Sequence, residues 1–311
     1  MERRNFLRTL VVGGVASMVQ WKSGSLFATP LPNPITQNFN DLVAVMGGEP
    51  AQLYAKAIAA MGGMGRFVKK GQSVVIKPNI GWNKSPELAA NTNPLLVTAI
   101  IKDCFAAGAS KVGVFDHTCD EWRSCYKTSG IQEAVEDAGA TMLFAHEEKY
   151  YNEVSIPNGK RLKSAKVHQA ILEYDVWINV PILKNHGSAK MSIALKNNMG
   201  VVWDRRYWHS NDLQQCIADF ATFSKQPALH IVDAYRIMTQ NGPQGKGVDD
   251  IQLAKAIFMS IDPVAVDTAA VSFFNQYKTM TINDASHIKL SEELNVGTTK
   301  INELKVERIK L

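Results

Sequence analysis

The chain has no long apolar run, no paired cysteines and no strong excess of either charge, and each absence removes a class of protein. Its longest weakly hydrophobic stretch near the N-terminus, Thr9 to Val19, is about half the roughly 20 residues a membrane-spanning helix needs, so a permanent anchor is not expected. The four cysteines, Cys104, Cys119, Cys125 and Cys216, form no Cys-x-x-Cys pair, which leaves no basis for a self-contained zinc or iron–sulfur site. Cys119 and Cys125 are close enough in sequence for a short disulfide in an oxidising compartment, or for two free thiols. The formal charge of +5 owes +3 to residues 1–28, so the rest of the chain carries only +2. No basic run interleaved with aromatics is present, and nucleic acid is not an expected partner. Gly-x-Ser-x-Gly, His-Glu-x-x-His, Gly-x-Gly-x-x-Gly and the P-loop order are also missing, which argues against serine hydrolases, zincins, ordinary dinucleotide enzymes and P-loop NTPases.

What is present begins with Arg3-Arg4-Asn5-Phe6-Leu7-Arg8, followed by an apolar run containing Gly13, Gly14 and Ala16. This resembles a twin-arginine export signal, which implies translocation of an already folded protein and a periplasmic or otherwise exported location. Glu2 stands where such signals usually carry Ser or Thr. Residues 1–28 are assigned to the signal, the Pro-rich residues 29–40 to an extended linker, and residues 41–311 to a single domain.

Within that domain β-rich runs alternate with amphipathic helices. Strands are expected at 73–77, 111–115, 141–145, 175–180, 229–233 and 256–260, with an edge strand in 303–311. Helices are expected from Asn93-Pro94 to Gly108, over 131–138, from Ser210 or Asn211 onward, and from Asp262-Pro263 to Phe274. Ile156-Pro157-Asn158-Gly159-Lys160 marks an inserted hairpin within 150–170. Alternation with apolar strands predicts an α/β fold: a mainly parallel sheet, helices on both faces and a small inserted hairpin. Ligands in such folds bind at the carboxyl ends of the strands, so the polar residues there are the site candidates.

Those strand ends carry lysine, asparagine, histidine and aspartate. Asp175–Val180 empties into Lys184-Asn185-His186, and Lys196-Asn197-Asn198 follows. Val75-Ile76-Lys77-Pro78-Asn79 repeats the theme, and Lys111–Phe115 delivers Asp116-His117. Lysine supplies compact positive charge and asparagine oriented amides, a combination suited to phosphate or carboxylate. On this reading Lys77, Lys184 and Lys196 neutralise a small anionic ligand, and Asn79, Asn197 and Asn198 orient it. His186 moves a proton, with Lys184 and Asp267 in the catalytic set. Asp116-His117, with Asp233 and Asp262, could complete a carboxylate/His site for a divalent metal; Asp116, Asp262 and Asp267 hold that cation or act as bases, and His186 is a further candidate ligand. Asp262 has a second reading as the N-cap of its helix. Asn241–Gly247 is either a loop closing its amides over an anion or a plain mobile loop. The segment Trp203–His209 is a lid, a docking surface for a periplasmic redox or maturation partner, or packing.

As a set these motifs resemble the family called domain of unknown function 362. The pieces that carry the resemblance are Val75–Asn79, Asn93-Pro94, Gly108–Val112, Asp175–His186, Leu195–Gly200 and Asp262–Asp267. The resemblance implies a bacterial or archaeal α/β protein without an assigned mechanism. Some such relatives carry ferredoxin-like iron–sulfur segments, which the cysteine pattern here does not provide. The usual Lys-Thr-His is Lys184-Asn185-His186 in this chain. Two functional classes follow: an enzyme acting on a small anionic substrate, metal-assisted or not, or a non-catalytic accessory protein.

Overall fold

Alternation along β2 (Ser73–Pro78) sets the layout of the molecule. In this computed structural model, which describes residues 39–311, Val74 and Ile76 pack into one hydrophobic core and Val75 into another, one on each side of the sheet. Successive side chains of a strand point to opposite faces. Lys77 therefore stands on the Val75 side. The expected export signal and most of the linker, residues 1–38, lie outside the described residues.

The strands are β1 (Leu42–Met46), β2, β3 (Lys111–Val114), β4 (Thr141–Met142), β5 (Tyr151–Ser155), β6 (Ser164–His168), β7 (Val176–Val180), β8 (Ile182–His186), β9 (Lys190–Ser192), β10 (Leu229–Met238), β11 (Ile251–Ser260) and β12 (Val306–Lys310). The main sheet runs β12-β1-β11-β10-β7-β2-β3-β4, with β8 attached to β10 and β9 to β8. Its centre, β10-β7-β2-β3-β4, is parallel, as is the edge pair β1-β12. Helices 50–60 and 94–106 bury residues in one core, and helices 213–220 and 263–274 in the other. The expected α/β architecture with a mostly parallel central sheet and helices on both faces is thus observed. The inserted hairpin is β5-β6, a separate two-stranded antiparallel sheet. No helix among the described residues is long and apolar enough to cross a membrane.

Three elements depart from the sequence reading. β10 and β11 each run ten residues, about twice the lengths expected at 229–233 and 256–260, and pair antiparallel. The strand at 141–145 shrinks to two residues at the sheet edge. Lys184-Asn185-His186 is not a loop after β7 but the end of β8. Pro181 accepts from Asp233 N through its carbonyl (2.9 Å) but has no N–H to give, so the chain leaves β7 there and resumes pairing with β10 and β9.

Candidate functional site

The carboxyl ends of β2, β3 and β8 meet at a chamber of about 370 Å³, to which the short helix 194–197 contributes. Its floor is a buried polar network. Lys77 Nζ lies 2.9 Å from Asp116 Oδ1, and both side chains are buried. Lys77 also donates to Asn197 Oδ1 (2.7 Å), which accepts from Asn79 Nδ2 as well (3.1 Å). Asn197 in turn donates to Asn179 Oδ1 (2.8 Å), and Ile80 N holds the second Asp116 oxygen (2.7 Å). Asn197 is therefore a hub that ties β2, β7 and the 194–197 helix together.

Gly200 closes the floor. A Cβ there would fall 2.0 Å from Asp116 Oδ1 and 2.6 Å from Lys77 Nζ, so only glycine lets the ion pair form beneath it. The 194–197 helix is set by Asp267, whose oxygens accept from Ala194 N (2.8 Å) and Leu195 N (3.1 Å). Burial pushes the Asp267 carboxyl up to about 8, against the lowering effect of those two amides. Asp267→Ala strands both amides and is expected to cost about 1–3 kcal/mol in urea denaturation.

Above the floor stand the cations. Lys184 is buried and donates to Asn79 Oδ1 (3.1 Å) and to Ala90 O. Lys196 is half-buried and makes no hydrogen bond or ion pair among the described residues. Desolvation pulls Lys184 down to about 7 and Lys196 to about 8; neighbouring cations add to the effect in both. Arg205 donates to His117 O (2.8 Å) and Thr118 O (2.7 Å), and Arg206 lines the chamber beside it. His186 Nδ1 accepts from Ala189 N (3.1 Å), which leaves the ring proton on Nε2. Burial, then Lys196 and Lys184, push His186 down to about 2, so the ring stays neutral and is a hydrogen-bond donor. Apart from Asp116, already neutralised by Lys77, no carboxylate among the described residues lines the chamber.

The expected residues divide accordingly. Lys77, Asn79, Asp116, Lys184, His186, Lys196 and Asn197 line one chamber. Asn198 is buried and does not line it. Asp267 is a structural cap rather than a base in the chamber. Asp262 is the N-cap of helix 263–274, accepting from Val264 N (2.8 Å), Ala265 N (2.9 Å) and Thr298 N (2.9 Å). It shares no site with Asp116, and Asp233 is spent on Asn93 N (2.8 Å) and Tyr235 N (3.0 Å). Among the described residues no group of three His, Cys, Asp or Glu is placed to hold a metal ion, so the carboxylate metal site is not formed. Cys119 and Cys125 are both free, one exposed and one buried. The amides of the Asn241–Gly247 loop are partly consumed by Asp250, which accepts from Lys246 N and Gly247 N, and only Pro243 of that loop reaches the chamber.

Arg205, Arg206 and His209, within the Trp203–His209 segment read as a lid, a docking surface or packing, line the chamber with Cys119, which the sequence reading did not place there. The signal was there, since Asp204-Arg205-Arg206 adjoins the aromatic cluster, but nothing in the spacing tied it to the strand ends. Trp208 is packing, buried against Phe220, whereas Trp203 stacks on His117 with ring centroids 5.0 Å apart.

Comparison with known proteins gives one curated relative, a thylakoid-associated protein of Synechocystis sp., 24% identical over 230 residues that make up 68% of this chain and 70% of that one. Among solved structures, the lactate racemase apoprotein of Thermoanaerobacterium thermosaccharolyticum superposes on 69% of this chain with a TM-score of 0.44 and 14% identity. A Thermotoga maritima protein superposes on 78% of it, also at 0.44, with 10% identity. The chain covers 53% and 57% of those two proteins. The family model described as domain of unknown function (DUF362) matches residues 74–272, a span that contains every chamber lysine and asparagine named above, and the chain belongs to that family.

Proposed function

We propose that this protein is an enzyme acting on a small molecule that carries a phosphate or carboxylate, bound in the chamber between Lys184, Lys196 and Arg206. One observation carries the reading: the chamber offers cations and a neutral imidazole donor, while the one carboxylate that lines it among the described residues is already paired. An anion entering it gains charge-assisted hydrogen bonds without facing a negative wall. Lys196 has no hydrogen bond or ion pair among the described residues to give up on binding.

Proton transfer, first expected at His186, is assigned to the lysines. A group moves protons best when its pKa lies near the working pH, and depression to about 7 and about 8 puts Lys184 and Lys196 there, whereas His186 at about 2 does not titrate. His186 Nε2–H orients the bound anion or a neighbouring oxygen. Export of the folded protein by way of residues 1–28 remains part of the proposal and places this chemistry outside the cytoplasm.

The pH dependence gives a test with two opposite signs. Anion affinity is expected to fall as pH rises through about 7 to 8, as the two lysines lose their protons. Folding stability runs the other way. Between the depressed folded values and the ordinary lysine value near 10.4, the unfolded chain binds more protons, so stability rises with pH across that window. Calorimetric titration of inorganic phosphate, repeated in buffers of different ionisation enthalpy, checks the first; urea denaturation at matched pH values checks the second. Affinity that is flat or rising from pH 6.5 to 9 contradicts the assignment.

A further inference from the structure

A second and larger cavity, a groove of about 1080 Å³, opens beside the chamber, and His117, Arg205 and Arg206 line both. One wall is the β5-β6 hairpin and the other is residues 203–211. The walls are tied together by the Val167–Val202 bridge, by Trp203 N donating to Lys166 O (2.9 Å) and by Tyr207 OH donating to Arg161 O (3.1 Å). The groove is thus a built extension of the site.

Its charges are unequally committed. Of the three carboxylates that line it, Glu148 pairs with Lys166, Glu153 accepts from Ser164 (3.0 Å) and Asp204 accepts from Tyr207 N (3.3 Å). Arg161, Lys163 and Arg206 line the same groove and make no side-chain hydrogen bond or ion pair among the described residues. Five cations, Arg161, Lys163, Lys166, Arg205 and Arg206, against three carboxylates make the groove a net positive trough. Trp203 and the 42% exposed Tyr207 add two aromatic surfaces to it.

The geometry points to a two-ended ligand: one anionic group in the chamber, a body carrying a ring along Trp203 and Tyr207, and a second anionic group against Arg161 and Lys163. This rests on the chamber being the anion site and names the class of molecule it takes, an elongated organic bisanion of the nucleotide type rather than a compact acid. The combined size fits: the chamber alone is at the low end of small-molecule sites, roughly 300–1,000 Å³, and the groove exceeds that range on its own.

The test compares inorganic phosphate, AMP and adenosine 3′,5′-bisphosphate by calorimetry on the wild-type chain, on the Arg161→Ala/Lys163→Ala double variant and on Lys196→Ala. The bisphosphate is expected to bind about tenfold more tightly than AMP, an advantage of the size that hydrogen bonds to charged groups give. The double variant should erase that advantage and leave phosphate affinity unchanged, while Lys196→Ala should weaken all three. Phosphate binding with no gain for the bisphosphate, or a gain that survives the double variant, overturns the groove assignment and leaves the chamber reading standing. Failure of phosphate itself to bind overturns the chamber reading, and the two-ended ligand with it.

Discussion

Asp116→Asn is expected to destabilise the protein by about 3–5 kcal/mol, the cost of leaving one partner of a buried ion pair uncompensated. Lys77 is the stranded partner. It is buried at the floor of the chamber, 2.9 Å from Asp116, and burial already pulls its pKa down with Asp116 as the main opposing influence. Without the carboxylate, Lys77 keeps Asn197 Oδ1 and no counter-charge. Gly200→Ala should act in the same direction through a different cause, since its methyl would occupy the space of the pair. Urea denaturation reads both, with the midpoint falling and the slope unchanged. A change in Asp116→Asn below about 1 kcal/mol would mean that the pair contributes little, and that the floor is held by the asparagines instead.

The second large effect is on binding. Lys196→Ala is expected to weaken phosphate binding by roughly 10- to 150-fold, the equivalent of about 1.5–3 kcal/mol for a hydrogen bond to a charged group. Stability should stay level or rise, because a half-buried ammonium with no partner is removed. Lys184→Ala separates from it. That side chain donates to Asn79 and Ala90, so its loss should lower both affinity and stability. If the two variants behave alike in calorimetry and denaturation, the division between a lysine that serves the ligand alone and one that also holds the chamber together is wrong.

The parts of this fold that the sequence made legible are those where one residue type has one local use. Asn93 before Pro94 and Asp262 before Pro263 announce helix starts, and both side chains cap as expected. Apolar β2, ending in Pro78 and then Asn79, announces a strand end that lines the chamber. What stayed hidden depends on contacts distant in sequence. Asp267 looks like a site residue because it lies one turn beyond Asp262, and nothing local shows that Ala194 and Leu195, some 70 residues away, need its oxygens. Arg205 reaches the chamber through contacts far from it in sequence, donating to His117 O and Thr118 O while the 203–211 segment is tied to the β5-β6 hairpin. The antiparallel pairing of β10 with β11 stayed hidden because strand direction depends on which strands meet in the sheet, which no local residue pattern reports. Cys119 and Cys125, left open as a disulfide or two thiols, are both free here; the Gly81 carbonyl accepts from Cys119 N (2.8 Å) and Cys125 Sγ (3.8 Å), with Cys125 buried and Cys119 exposed.

The central claim is that the chamber over the Lys77–Asp116 floor is an anion site. Crystals of the folded domain soaked in tungstate, a phosphate-shaped anion with strong anomalous scattering, test it most directly. The account predicts an anomalous peak in the chamber, within hydrogen-bond distance of the Lys184 and Lys196 ammonium groups and His186 Nε2, and its absence from Lys196→Ala crystals. A chamber without tungstate in wild-type crystals, or one occupied equally in the variant, would contradict it.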